Sequence, residues 1–131
     1  MGGLGLLPES EFLEMADSTL EAIEVAAGSL DDILDRIDVT NAMGVLTIAL
    51  GDKGTYVINK QAPNRQLWWS SPVSGPRRYA WDAGRGAWVN TRDGHDMLAA
   101  LEAEVATLTG APLVIKRPTV ARRGGGTAAA A

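Results

Sequence analysis

Between residues 36 and 90 the chain alternates short runs of strand-forming residues with breaks of only a few residues. Runs at 36–40 and 45–50 flank Asn41-Ala42-Met43-Gly44, and Gly51-Asp52-Lys53-Gly54 leads into 55–59. Ala62-Pro63-Asn64 breaks the chain before 66–70, and residues 72–76 loop into 78–81. Asp82-Ala83-Gly84-Arg85-Gly86 then leads into 87–90. Glycine, proline and asparagine clusters of this kind punctuate strands. A parallel crossover needs about a dozen residues or more, and none of these breaks has them. Five or six strands must therefore lie beside one another as an antiparallel meander.

Helical patterns flank the meander. Phe12, Met15, Ala16, Thr19, Leu20, Ile23 and Ala27 recur at helical spacing, with Pro8 or Ser10 suited to the start and Gly28 to the end. Ser29-Leu30-Asp31-Asp32 reads as a capped turn, because a serine followed three residues later by an acid can satisfy free amides. A second helix begins near Asp93, where Asp93 and Asp96 have capping spacing. It turns Met97, Leu98, Leu101, Val105 and Leu108 inward and stops at Gly110 before Pro112. Two amphipathic helices must bury their stripes, and one sheet face is the available partner. The expected fold is an α/β (α+β) two-layer sandwich, with two roughly parallel helices packed on one face of a five- to six-stranded antiparallel sheet. Residues 8–115 form this domain, after a flexible N-terminus (1–7). A tail from 116 to 131 lacks periodicity, and its last ten residues read as disordered.

The other sheet face is then left to water. Side chains alternate along a strand, so Trp68 and Trp69 point opposite ways. With Leu67 and Trp69 inward, Gln66 and Trp68 point outward. Counting by twos puts Tyr56, Ile58, Tyr79 and Trp81 inside, and Val57, Asn59 and Arg78 outside. Tryptophan and arginine are enriched in binding hot spots. An outward Trp68 among amides and a guanidinium is therefore either a docking anchor or an indole half-covered by Arg78.

Charge is split along the chain. Residues 1–40 hold ten carboxylates against one arginine, a net −9, and the remainder holds six against eleven bases, a net +5. Glu14, Asp17, Glu21 and Glu24 are spaced to line one side of the first helix, and Asp31, Asp32, Asp35 and Asp38 continue the charge into the first strand. Such a face is either solvated surface or a site for a basic protein or a cation. Exposed single carboxylates make a weak site for a hard or borderline ion such as Fe²⁺, Ca²⁺ or Mn²⁺.

Several chemistries are excluded. The chain has no cysteine and one histidine, His95. That removes disulfides, a thiolate nucleophile, a persulfide carried on this chain, a cysteine-ligated cluster and a His-rich metal site. "SSPVSGPRRY" lacks the Gly-Lys-Ser/Thr of a phosphate-binding loop and does not open a helix. No serine has the base a nucleophile needs, and no catalytic constellation emerges. An RNA-binding sheet is disfavoured by the missing aromatic motif and the net charge of −4. No apolar run reaches the ~20 residues of a membrane span. The start lacks the basic region of a secretory signal, so the chain reads as a mature form with no presequence.

The stretch "GVLTIALGDKGTYVINKQAPNRQLWWSSPVSGPRRYAWD" (residues 44–82) resembles the central sheet of frataxins, and "INKQAPN" is similar to the eukaryotic, mitochondrial branch. The likeness extends from about Phe12 to Gly110 and implies the sandwich already read from the pattern. It further implies an accessory protein of iron–sulfur cluster assembly in the mitochondrial matrix. Such a protein docks on a cysteine desulfurase–scaffold complex and accelerates sulfur transfer, with Fe²⁺ or Fe³⁺ held weakly on an acidic ridge. Frataxins have also been credited with ferroxidase activity, iron storage and iron donation, including to ferrochelatase for heme synthesis. A monomer that oligomerises with iron is part of the same implication, with no nucleic-acid or membrane partner. The family's partner-facing set falls on Asn59, Lys60, Gln61, Gln66, Trp68 and Arg78. Its ridge falls on Glu14, Asp17, Glu21, Glu24, Asp31, Asp32, Asp35 and Asp38. Arg92 stands where the family often has a histidine, which removes one suggested iron ligand.

Overall fold

A computed structural model describes residues 7–118. Helix α1 (Glu9–Gly28) is followed by six strands: β1 (Asp38–Ala42), β2 (Val45–Ala49), β3 (Thr55–Gln61), β4 (Gln66–Ser71), β5 (Gly75–Asp82) and β6 (Ala87–Asn90). Helix α2 (Met97–Thr109) closes the order. The strands form one antiparallel sheet in chain order, as the short breaks require. Both helices pack on one face of it. The chain therefore adopts the expected two-layer sandwich, and the meander expected to have five or six strands has six.

Element ends differ from the sequence reading where hydrogen bonding outruns local preference. Strand β1 takes in Asn41 and Ala42, so the turn to β2 is only Met43-Gly44, at φ 55° and 78°. Two left-handed residues give the turn whose twist suits a tight hairpin. Strand β3 runs on to Gln61 because Lys60 and Gln61 still pair with Leu67 and Gln66. Strand β5 starts at Gly75 rather than Arg78, since Trp69, Ser70 and Ser71 pair with Arg77, Pro76 and Gly75. Residues 29–32 form a 3₁₀ turn in which Ser29 caps nothing forward; its Oγ donates back to Ala26 O at 2.7 Å. Helix α2 begins after Asp96, not Asp93: Asp96 Oδ2 accepts from Ala99 N at 2.7 Å. Gly110, at φ 76°, ends it with the left-handed geometry a glycine tolerates.

The core holds every apolar position expected of α1, together with Leu46, Ile48, Tyr56, Ile58, Leu67, Trp69, Tyr79 and Trp88 from the sheet. Met97, Leu98, Leu101 and Val105 come from α2, while Leu108 and Trp81 are only partly buried at the margin. Phe12 meets Trp88 edge-on at 5.9 Å, and Trp69 lies between Tyr56 (5.8 Å) and Tyr79 (5.4 Å). The buried indole of Trp88 donates from Nε1 to Thr19 Oγ1 (2.8 Å), which donates to Met15 O (2.8 Å). Burying that indole therefore leaves no donor unmet.

The ends of the domain are tied down. Leu7 O accepts from Arg65 Nε at 3.0 Å. Ile115 N and both terminal nitrogens of Arg117 donate to Glu102, so ordered chain continues past 115. Hydrogen bonds from Arg117 hold the Glu102 carboxyl below its ordinary value despite some burial. Residues 1–6 and 119–131, which carry most of the expected flexible ends, lie outside the described residues.

Candidate docking face and acidic ridge

Sheet pairing decides which side chains meet on the open face. Val45 pairs with Asn59, Asn59 with Trp68, and Trp68 with Arg78, a single row across four strands. Gln61 and Gln66 pair directly in the next row. Trp68 Nε1 donates to Gln66 Oε1 at 2.7 Å, and Gln61 Nε2 donates to Asn59 Oδ1 at 3.4 Å. The Arg78 guanidinium lies over the Trp68 ring, 4.3 Å from its centroid. The indole is thus covered in part by its neighbours, and the residue is neither buried nor fully exposed. The row presents an aromatic plate, amides with spare acceptors and donors, and a guanidinium that finds no carboxylate within ion-pair distance among the described residues.

Lys60 is the member of the expected set that this face does not carry. Its place in β3 matches Ile58, so it emerges on the helix side. Gly44 lets its stem pass, since a Cβ there would sit 2.8 Å from Lys60 Cε. Lys60 Nζ then reaches Asp17 Oδ1 of α1 at 2.6 Å. The exposed Asp17 keeps this pair partly in water, where such pairs contribute at most ~1 kcal/mol.

The eight acidic residues form a band, not a cage. Glu14, Asp17 and Glu21 are exposed on α1, whereas Glu24 is half-buried and accepts from Asn41 Nδ2 at 3.1 Å. Asp17, Glu21 and Glu24 line a cleft of about 350 Å³ between α1 and the β1–β2 turn. Asp31, Asp32, Asp35 and Asp38 follow, all exposed. Among the described residues, no three His, Cys, Asp or Glu side chains converge to hold a metal. Hard oxygen donors arranged this way suit a hydrated ion held by one or two carboxylates, not a fixed centre.

A partly buried polar network lies beneath the row. Glu104 of α2 accepts from Tyr56 Oη (2.8 Å) and Ser71 Oγ (2.6 Å). Ser71 Oγ in turn accepts from Val73 N and Ser74 N, fixing the β4–β5 turn. Arg77, on the same side as Tyr79, lies over Trp69 and contacts Glu104 Oε2 at 3.9 Å. His95 Nε2 receives Tyr79 Oη (2.7 Å) and Arg77 Nη1 (3.2 Å), while Nδ1 faces Asp93 Oδ1 (2.6 Å). An arginine can only donate, so in this arrangement Nε2 accepts and the ring proton sits on Nδ1. Hydrogen bonds from the His95 backbone and ring lower the Asp93 carboxyl. Burial pushes the Tyr56 hydroxyl far above its ordinary value, reinforced by Glu104, and burial also raises Tyr79. Sequence reading missed this network. Counting by twos from Tyr79 places Arg77 inward, a charge on the core side that needs a partner; Glu104 beside Val105 was the corresponding clue.

The fold and surface define a two-layer α/β protein with an open sheet face and an acidic flank. Residues 6–111 match the model of the frataxin-like domain, and the chain belongs to that family. It is 58% identical over 74 residues to the mitochondrial frataxin of Dictyostelium discoideum, covering 56% of this chain but 38% of that protein's length. It is 37% identical over 112 residues to the iron–sulfur cluster assembly protein CyaY of a Janthinobacterium species, covering 84% of this chain and 97% of that one. Among solved structures it is similar to trimeric frataxin of Saccharomyces cerevisiae complexed with ferrous iron, at TM-score 0.66 and 37% identity, covering 74% of this chain and 87% of that one.

Proposed function

We propose that this chain is an accessory protein of iron–sulfur cluster assembly in mitochondria. It docks through the open sheet face on a cysteine desulfurase–scaffold complex and accelerates sulfur transfer. The observation that carries the reading is the partly exposed row Asn59–Trp68–Arg78 on the open face, with Gln61 and Gln66 beside it. Trp68 is the anchor: a partner surface laid on it removes a large apolar area from water. Arg78 is already aligned by stacking, so little side-chain entropy remains to be lost when its free donors meet a partner. The amides then set register. Lys60, on the helix side, ties the sheet to α1 instead of facing the partner.

The acidic band binds iron weakly, as cargo held by exposed carboxylate oxygens. The same charge suits a basic surface of the partner. Kinship to the bacterial cluster-assembly protein and likeness to a frataxin complexed with ferrous iron support this assignment. The mitochondrial location follows the similarity to mitochondrial frataxins.

The test is a desulfurase–scaffold assay of sulfide production with and without the protein. Trp68→Ala and Arg78→Ala should remove the stimulation while circular dichroism and melting remain those of the folded protein. Full stimulation by both variants would overturn the sheet-face mechanism. Iron titration of variants neutralised at Glu14, Asp17, Glu21 and Glu24 tests the ridge separately.

A further inference from the structure

We propose that a pocket at the β4–β5 end of the sheet binds a small oxyanion, a phosphate or a carboxylate. The pocket encloses about 710 Å³, and its lining includes Trp68, Trp69, Ser74, Arg77, Arg78 and Arg92. It opens where β5 outruns β6, leaving residues 75–78 flanked by the loop that leads into α2 rather than by a strand.

Two lining residues carry polar atoms that are buried and without a partner: Trp69 Nε1 and Ser74 Oγ. Trp69 is 2% exposed, and its indole N–H can only donate. A buried donor left unmet costs about 1–3 kcal/mol, a cost that an acceptor from outside the chain, water or anion, would relieve once the pocket wall gives way to it. Trp88, the other fully buried indole, has Thr19 for this purpose.

The charges point the same way. Among the described residues, neither Arg78 nor Arg92 has a carboxylate within ion-pair distance. Arg77 contacts the His95 ring nitrogen, and its carboxylate neighbour Glu104 lies 3.9 Å away. Glu104 is committed to the hydroxyls of Tyr56 and Ser71. Asp93, the one carboxylate in the lining, is committed to the backbone and ring of His95. Beside the hydroxyls of Ser70 and Thr91 and the amides of Asn59 and Asn90, the lining offers an indole N–H, the Ser74 hydroxyl and three guanidinium groups, so donors outnumber acceptors. Guanidinium forks match the planar edges of carboxylate and the oxygens of phosphate. A cation or an apolar ligand would leave those donors unmet.

The experiment is a nitrogen–proton correlation titration of the whole protein with inorganic phosphate and, separately, with citrate, against sodium chloride at matched ionic strength. Substituting Trp69→Phe assigns the indole resonance. With either anion the Trp69 indole signal should move saturably, and chloride should not reproduce the movement. Arg92→Gln, a surface change that leaves the fold intact, should raise the dissociation constant at least tenfold, as should Arg77→Gln. The anion that saturates at lower concentration gives the class. No saturable movement with either anion, movement reproduced by chloride, or unchanged affinity in both arginine variants would each overturn the proposal. The titration contains neither desulfurase nor scaffold, so its failure leaves the docking reading standing.

Discussion

Trp68 and Trp69 are neighbours in β4, and the sheet sends them to opposite worlds. Trp69 is 2% exposed, wedged between Tyr56 and Tyr79 with Arg77 above it. Trp68 faces out, bonded to Gln66 and stacked under Arg78. The same contrast extends to the two faces. Inward residues fill space between the sheet and two helices, where volume and hydrogen-bond satisfaction decide stability. Outward residues hold each other in a polar arrangement, with Gln66 bonded to Trp68 and Arg78 laid over its ring. The lesson is that a strand can serve folding and recognition simultaneously, because alternation makes the two nearly independent.

The sharpest way to break this comparison is to truncate both tryptophans. Trp69→Ala should lose ~3–5 kcal/mol, the range for a large aromatic removed from a packed core. Trp68→Ala should lose less than about 1 kcal/mol, since only part of its surface is buried. Urea denaturation measures both, and similar losses would mean that the open face is not independent of the core.

Next in size is Glu104, which holds the β4–β5 turn beneath the docking row. Glu104→Ala should lose ~2–3 kcal/mol, because two buried hydroxyls lose their acceptor. Combining it with Tyr56→Phe should recover part of that loss, because one orphaned hydroxyl is removed. A further loss in the double variant would contradict the network.

Alkaline titration probes the same region more gently. Tyr56 and Tyr79 are both raised in the folded protein. A raised value means that folding favours the neutral hydroxyl. Their contribution is therefore whole below the ordinary tyrosine value of about 10 and is lost as pH climbs toward the folded values. Stability by denaturant should be level approaching that pH and fall above it, less steeply in Tyr56→Phe. An unchanged slope in that variant would remove Tyr56 from the account.

The smallest effects belong to the ridge. Removing the Lys60–Asp17 pair by Lys60→Ala should lose no more than ~1 kcal/mol. Neutralising Glu21 should leave stability unchanged or raise it by ~0.2–0.5 kcal/mol, through relief of like charge along α1. A loss above 1 kcal/mol at Glu21 would place it in the core's service rather than at a cation-binding surface.

Much of this was legible in advance, for identifiable reasons. Short breaks forced an antiparallel meander, and spacing gave both helices and every buried position of α1 except Ala26. Alternation separated Trp68 from Trp69 and chose Asn59, Gln66 and Arg78 for the open face. The misplacements have a common cause. Asn41 and Ala42 have little strand preference, yet they pair because Val45 and Leu46 are opposite. Gly75 and Pro76 read as loop, yet Ser71 and Ser70 hold them in β5. Lys60 entered the partner-facing set by likeness, whereas its parity with Ile58 put it on the helix side. The network of Arg77, His95 and Glu104 joins residues 9 to 27 positions apart, which no local pattern connects.

By itself, then, the sequence determined what depends on period and chain length: element types, their antiparallel order, and which face of each element is apolar. Those follow from backbone geometry, and each residue obeys them without knowledge of distant ones. Only the tertiary structure decided which polar groups meet. It brought Lys60 over Gly44 to Asp17, laid Arg78 on Trp68, closed Glu104 on Tyr56 and Ser71, and left Trp69 Nε1 and Ser74 Oγ buried beside three arginines. Hydrogen bonds and ion pairs act over a few ångströms, so they are set by packing across the sheet and not by spacing along the chain.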